Sequence, residues 1–186
     1  MRMKIGCSSL IMAGLLCACS PSSPPAPAAA PSPAATQPPV AGTSALVAAD
    51  VAALNTRFDP ARDPAADLAV AQAEARRSGK RIVLDVGGEW CSWCHLLDAF
   101  IEGDADVRTL VDAKYVWMKV NYSEDNENAA FLSQFPAIKG YPHLFVLDAD
   151  GKLLHSQFTG ELEADKGQPK GYNRERFLAF VQAWAP

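Results

Sequence analysis

Cysteine is scarce in this chain and poorly distributed for a disulfide scaffold. The 186 residues include five, and three of them (Cys7, Cys17, Cys19) fall at the extreme N-terminus, leaving only Cys91 and Cys94 beyond. A pair this close in sequence closes a small loop and adds little stability. A disulfide-stapled secreted fold is therefore excluded. Histidine is rarer, with three copies, and His143 and His155 sit alone on strand-like stretches. There is no basic run: 17 Lys+Arg stand against 21 Asp+Glu, a formal net charge of −4, which argues against nucleic acid as a partner. No internal repeat is present. The N-terminal apolar stretch, Ile5 to Leu16, is shorter than the ~20 residues a membrane-spanning helix needs.

What is present at the N-terminus reads as an export signal. Arg2 and Lys4 precede the apolar stretch, and Leu16-Cys17-Ala18-Cys19 follows it. This tetrad resembles a bacterial lipobox, with Cys19 as the lipidated residue and 1–18 as the cleaved signal. An ordinary secretory signal cut near Ala28 or Ala30 is the alternative. Ser20 stands where an Asp is associated with inner-membrane retention, which favours the outer membrane. Residues 19–45 are rich in Pro, Ala, Ser and Thr. They lack the apolar side chains needed to offset the entropy of ordering, and read as a lipid-anchored tether. That leaves 46–186, the size of one domain. Loss of 1–18 removes two basic residues and no acidic one, leaving 15 Lys+Arg against 21 Asp+Glu.

Within the domain, Asp63-Pro64 offers an N-cap followed by proline at the first helical position, and Gly79 a stop after an Ala-rich helix over 65–78. Ile82 to Val86 is a short apolar run that predicts a buried strand. Helices are expected over 92–102 and 105–112, a strand over 115–121, and a helix over 124–135 with Phe131 and Leu132 inward. Strands over 143–147 and 152–158 flank Asp150-Gly151, a hairpin signal. The last helix, from Asn173, carries Phe177, Phe180, Val181 and Trp184 on one face. A β–α–β unit demands a parallel strand pair with a right-handed crossover, and the hairpin adds antiparallel strands. The expected class is α/β: a mixed sheet of about four strands with helices on both faces.

The chemistry lies in Trp90-Cys91-Ser92-Trp93-Cys94-His95, placed where the first strand gives way to a helix. Unpaired N–H groups and partial positive charge at a helix N-terminus favour a thiolate. The two-residue spacing lets the second thiol close back on the first. The pair reads as a thiol–disulfide redox device.

The element order and several separated landmarks resemble the thioredoxin fold over residues 64–186. They are the Trp-Cys-x-x-Cys after the first central strand, Asp85 six residues before Cys91, Lys119 in the second strand, Ile138-Lys139-Gly140-Tyr141-Pro142, and Gly160. The resemblance implies roles. Cys91 would be the nucleophile and Cys94 the less exposed resolving thiol. Asp85 would accept the Cys94 proton, with Lys119 near it. Pro142 would be cis, facing the disulfide and exposing the Tyr141 backbone to a substrate strand. Trp90 would pack beside the site. Trp93 stands where common thioredoxins have Pro, and His95 where they have Lys; a protonated His95 could stabilise the Cys91 thiolate. The Trp-Cys-x-Trp-Cys pattern is closer to thioredoxin-like proteins of bacterial envelopes. The family's first strand has only a weak counterpart in 46–58.

The implied protein is a monomeric envelope oxidoreductase, periplasm-facing and lipid-anchored. Its partners would be protein thiols and disulfides, with electrons from a membrane thiol donor, and it would need no cofactor beyond the Cys91–Cys94 disulfide. Other chemistries compete for the motif. Cys-x-x-Cys-His also fits covalent c-type haem attachment with His95 axial and Met118, His143 or His155 opposite. Two thiols could carry copper(I). A closed zinc site is disfavoured because Cys94 and His95 are adjacent on one helix and diverge.

Overall fold

The computed structural model of this chain describes residues 49–186. The signal segment, Cys19 and the tether through residue 45 lie outside the described residues. Residues 49–53 are helical and no strand forms over 49–62, so the weak first strand expected within 46–58 is not found in its described part.

Helix α1 spans Pro64–Ser78. The Asp63 carboxylate accepts the Ala65 N–H at 2.9 Å, satisfying an otherwise orphaned donor. The helix ends at Gly79, whose φ of 70° is left-handed and suits a residue without Cβ. Strand β1, Arg81–Gly87, follows, buried on both faces after its first residue. Helices α2 (Ser92–Gly103) and α3 (Ala105–Lys114) lead into β2, Tyr115–Asn121. A one-turn helix α4 (Ala129–Leu132) precedes β3 (His143–Leu147) and β4 (Leu153–Phe158). A 3-10 turn over Thr159–Leu162 and helix α5, Arg174–Ala183, complete the chain, with the Asn173 side chain capping α5.

The sheet order is β2-β1-β3-β4. β1 runs parallel to β2 and antiparallel to β3, and β3 pairs antiparallel with β4. The strict alternation of side chains divides the core in two. Ile82, Leu84, Val86, Val116, Met118 and Val120 face one way, against Ala71 and Ala75 of α1. Val83, Trp117, Leu144 and Val146 face the other, against Leu97 of α2, Val107 and Val111 of α3 and Phe177, Phe180 and Val181 of α5. The expected mixed sheet with helices on both faces is thus observed. At the β3–β4 turn, the Asp148 carboxylate accepts the N–H groups of Asp150 and Lys152, and Gly151 has a φ of 84°.

One expected element is much shorter than its pattern. The helix foreseen over 124–135 exists only as α4. Asparagine side chains hold its first half in a loop: Asn121 Nδ2 donates to the Asn126 carbonyl at 2.8 Å, and Asn128 Nδ2 to the Asn121 carbonyl at 2.8 Å. Asn128 itself has a φ of 49°. Such local side-chain bonds compete with helical ones.

His143, at the start of β3, is buried. Its Nε2 lies 2.9 Å from Ser156 Oγ and its Nδ1 has no hydrogen-bond partner. Burial foremost, helped by Lys139 and His155 and opposed by Glu161, pulls its pKa down from 6.5 to about 4. Below pH 6.5 the unfolded chain binds a proton that the folded one refuses, so this residue costs stability as pH falls from 6.5 toward 4. A shift of this size is worth about 3 kcal/mol. We predict that His143→Gln loses less stability than the parent between pH 7 and pH 4, read as the shift in urea midpoint.

Candidate redox site

The site is assembled where β1 ends. Gly88 closes a turn in which its carbonyl accepts the Cys91 N–H at 2.9 Å. Cys91 is the N-cap of α2, extended in backbone, and its Sγ accepts the Cys94 N–H at 3.2 Å. Cys94 lies in the first turn of α2, and the two sulfurs are joined in a disulfide with Cα atoms 5.3 Å apart. Cys91 is 4% exposed and Cys94 is 0% exposed, so an incoming thiol reaches Cys91. When the bond opens, the Cys91 sulfur is left at the positive end of α2, which favours its anion. The arrangement can perform thiol–disulfide exchange.

Phe58, Trp93 and Tyr141 pack around the pair. Gly87 is needed there for space: a Cβ on it would sit 2.5 Å from Cys94 Sγ and 3.1 Å from the Phe58 ring.

Asp85 and Lys119 are opposite each other in the parallel β1–β2 register, on the sheet face covered by α2. Asp85 is fully buried. Trp117 Nε1 donates to its Oδ2 at 3.2 Å, and its Oδ1 has no partner. Burial pushes the pKa of Asp85 up to about 6, against the pull of Lys119; nearby Asp98 adds to the rise and the Trp117 bond opposes it. Lys119 is only loosely held by Asp85. Its Nζ is 3.9 Å from Asp85 Oδ2 but 2.6 and 2.7 Å from the two Asp98 oxygens. It also lies 4.2 Å from the centre of the Phe58 ring.

The Tyr141-Pro142 bond is cis. The Pro142 carbonyl accepts from Thr159 Oγ1 at 2.6 Å. The Tyr141 ring stacks on Tyr122 at 4.8 Å and meets the edge of Trp90 at 5.5 Å. Trp90 is 58% exposed beside the disulfide, fixed by its indole N–H to the Tyr122 carbonyl at 2.7 Å. His95 turns its Nε2 to the Glu89 carbonyl at 2.8 Å, and Glu89 Oε1 accepts the Phe58 N–H at 2.8 Å. The Trp93 carbonyl accepts from Tyr172 Oη at 3.2 Å, and Lys170 reaches the hydroxyl of Ser92 at 3.4 Å.

Every site residue expected within 85–142 therefore gathers at one end of the sheet. Sequence reasoning missed Asp98, Phe58, Tyr122 and Tyr172. Asp98 had a signal, since it follows Cys94 by four residues and so shares its helix face. The others come from distant loops and had none.

Residues 63–149 match the family model described as Thioredoxin-like. Over that stretch the chain is similar to the thioredoxin-like family. Two curated relatives are each called thiol:disulfide interchange protein DsbD. The one from Colwellia psychrerythraea is 30% identical over 87 residues, 46% of this chain and 14% of that protein. The one from Pseudoalteromonas atlantica is 31% identical over 96 residues, 50% of this chain and 16% of that protein. The chain thus spans less than a fifth of either. Among solved structures, a disulphide isomerase from Xylella fastidiosa Temecula1 superposes with a TM-score of 0.57 at 22% identity, over 70% of this chain and 97% of that one. The reduced C-terminal domain of Neisseria meningitidis DsbD gives 0.50 at 19% identity, over 66% and 96%. These likenesses show a shared thioredoxin-like fold. Among the described residues no cluster of three or more His, Cys, Asp or Glu side chains could hold a metal ion, and no helix is long and apolar enough to cross a membrane.

Two outcomes follow from the packing of this thioredoxin-like domain. Gly87→Ala forces Cys94 or Phe58 to move and should cost about 1–3 kcal/mol, the usual scale of overpacking, measurable by urea unfolding of the oxidised protein. Asp85 acts with the opposite sign to His143. Between its ordinary pKa of 3.8 and about 6 the folded state holds a proton that the unfolded state has released, so stability falls as pH rises through that window. Asp85→Asn should raise stability at pH 7 by up to about 3 kcal/mol. The gain should vanish at pH 3.5, where both states of the parent are protonated.

Proposed function

We propose that this protein is a thiol–disulfide oxidoreductase of the bacterial envelope that reduces substrate disulfides through Cys91 and Cys94. The observation that carries the reading is a single disulfide capping the N-terminus of α2, with a buried carboxylate of raised pKa behind that helix. In the reduced protein, the Cys91 thiolate attacks one sulfur of a substrate disulfide. A mixed disulfide forms and the other substrate sulfur leaves as a thiolate, which takes a proton from water. Cys94 passes its proton to Asp85, directly or through water, and attacks Cys91 Sγ. The Cys91–Cys94 bond forms, the mixed disulfide breaks, and the second substrate thiolate departs. The protein has lost two electrons and the substrate has gained them.

A pKa of about 6 suits Asp85 to this task, because at neutral pH it is ionised yet still basic enough to hold a proton briefly. Lys119, engaged by Asp98, keeps its charge close without fully satisfying Asp85. Tyr141 packs against the cysteine pair, and the cis Tyr141-Pro142 bond would present the backbone with which a substrate strand pairs. The pairing of the two thiols with each other favours exchange over the haem and copper(I) alternatives, which need them as separate ligands.

The setting is inferred from the sequence and from the DsbD relatives. A domain tethered through lipidated Cys19 would face the periplasm and draw electrons from a membrane thiol donor. Removing the resolving thiol tests the chemistry. In Cys94→Ala cells, mixed disulfides with envelope proteins should accumulate on Cys91 and release on reduction, whereas Cys91→Ala should trap none. Equal trapping by both variants would defeat the assignment. A potential for the pair near −270 mV, the value of thioredoxin, would accord with a reductase, and one near −120 mV with an oxidant.

A further inference from the structure

Between the 3-10 turn and α5, residues 163–173 form a closed strap. Its two ends pair through Glu163 and Tyr172 and through the Ala164 N–H to the Gly171 carbonyl at 2.9 Å. Arg176 braces it from α5, donating to the Glu163 carbonyl at 2.7 Å and to Asp165 at 2.5 Å. The strap does not simply close the fold. It touches both residues between the redox cysteines. Tyr172, buried, donates its hydroxyl to the Trp93 carbonyl and sets its ring edge-on to Trp93 at 5.7 Å. From Tyr172 an aromatic chain continues through Phe100 to Phe177, at 5.9 and 5.2 Å, so the strap is anchored in the core. Lys170 places its ammonium 4.8 Å from the centre of the Trp93 ring and 3.4 Å from Ser92 Oγ. Among the described residues it makes no ion pair with a carboxylate.

We propose that Lys170 is a positioning residue that stabilises the Cys91 thiolate, and that the strap exists in part to hold this charge at the Cys91–Cys94 linker. The argument is electrostatic and rests on the reading of Cys91 as the nucleophile. Two-electron reduction of the disulfide leaves an anion on Cys91 and, with one proton, a thiol on Cys94. The other basic side chains nearby are engaged: Lys119 is gripped by Asp98, and the His95 ring is turned to the Glu89 carbonyl. Lys170 has no carboxylate partner among the described residues, and it adds to the positive end of α2, which bears on the same sulfur. A charge that favours the thiolate favours the reduced pair, so it moves the redox equilibrium toward dithiol and raises the fraction of reactive nucleophile at acid pH. Trp93 is the platform that makes this possible, since its face accepts the ammonium while its carbonyl accepts Tyr172. A small aliphatic linker residue would offer no such face.

The test is the Cys91 thiol titration in the reduced full chain, followed by iodoacetamide alkylation from pH 4 to pH 9, with glutathione equilibration alongside. Lys170→Met keeps the aliphatic stem on Trp93 and removes the charge. Alkylation of Cys91 at pH 6 should fall roughly three- to tenfold, the scale of one partly screened charge. The glutathione equilibrium should move toward the disulfide by a similar factor. Lys170→Arg should restore both, Lys170→Glu should exceed the Met variant, and 1 M salt should shrink all the differences. A Met variant that titrates like the parent, or an Arg variant that behaves like Met, would overturn the proposal and leave the strap as a purely structural brace. If no envelope substrate is ever trapped and the Cys91 titration still moves with the charge at 170, the proposed function fails and this inference stands.

Discussion

The structure is organised around a carboxylate in the wrong place. Asp85 is the one acidic residue in a strand otherwise built for burial, and the parallel β1–β2 register puts Lys119 directly opposite it. An isolated charge at this depth is costly, and a tight ion pair would make it harmless. Neither limit is realised. Asp98 on α2 takes the lysine in a two-oxygen grip, and Asp85 keeps one indole donor and one orphaned oxygen. The acid stays poised between its charged and neutral forms, as a proton acceptor near neutral pH must. Stability is sacrificed at this point and supplied elsewhere, by two apolar cores packed on opposite faces of the sheet.

The remaining features of the site follow from holding two sulfurs at one end of that sheet. The N-terminus of α2 supplies the field for Cys91. Gly87 supplies the room for Cys94, because no side chain fits between the end of β1 and that sulfur. Phe58 closes the back of the pair while covering Lys119, so it touches both the redox centre and the charge cluster. Trp90, Tyr122 and Tyr141 form an aromatic wall on the side of the Pro142 turn, and Trp93 with Tyr172 and Lys170 forms the other. Trp90 stands exposed next to a disulfide that is almost wholly covered.

Much of this was legible along the chain because it is local. The strand over 115–121, the N-cap at Asp63, the start of the last helix at Asn173, the Asp150-Gly151 turn and the Cys-x-x-Cys junction all arise from neighbouring residues and appear where their patterns place them. The helix foreseen over 124–135 failed for an equally physical reason. Its apolar spacing was helical, but Asn121, Asn126 and Asn128 offered the backbone a competing set of hydrogen bonds, and an amphipathic pattern carries no account of such competition.

The sequence by itself determined the two thiols, their place at a strand-to-helix junction, and the strands that carry Asp85 and Lys119, since each depends on residues a turn or a strand apart. Only the tertiary structure decided who partners whom. That Lys119 answers to Asp98 more than to Asp85, that Phe58 lies on the disulfide, and that residues 163–173 return to clamp Ser92 and Trp93 are contacts between segments separated by 21 to 79 positions. Such contacts are set by how α2 and the C-terminal strap pack against the sheet. Small differences in that packing choose among several nearby charges, and the pattern of residue types along the chain does not encode the choice.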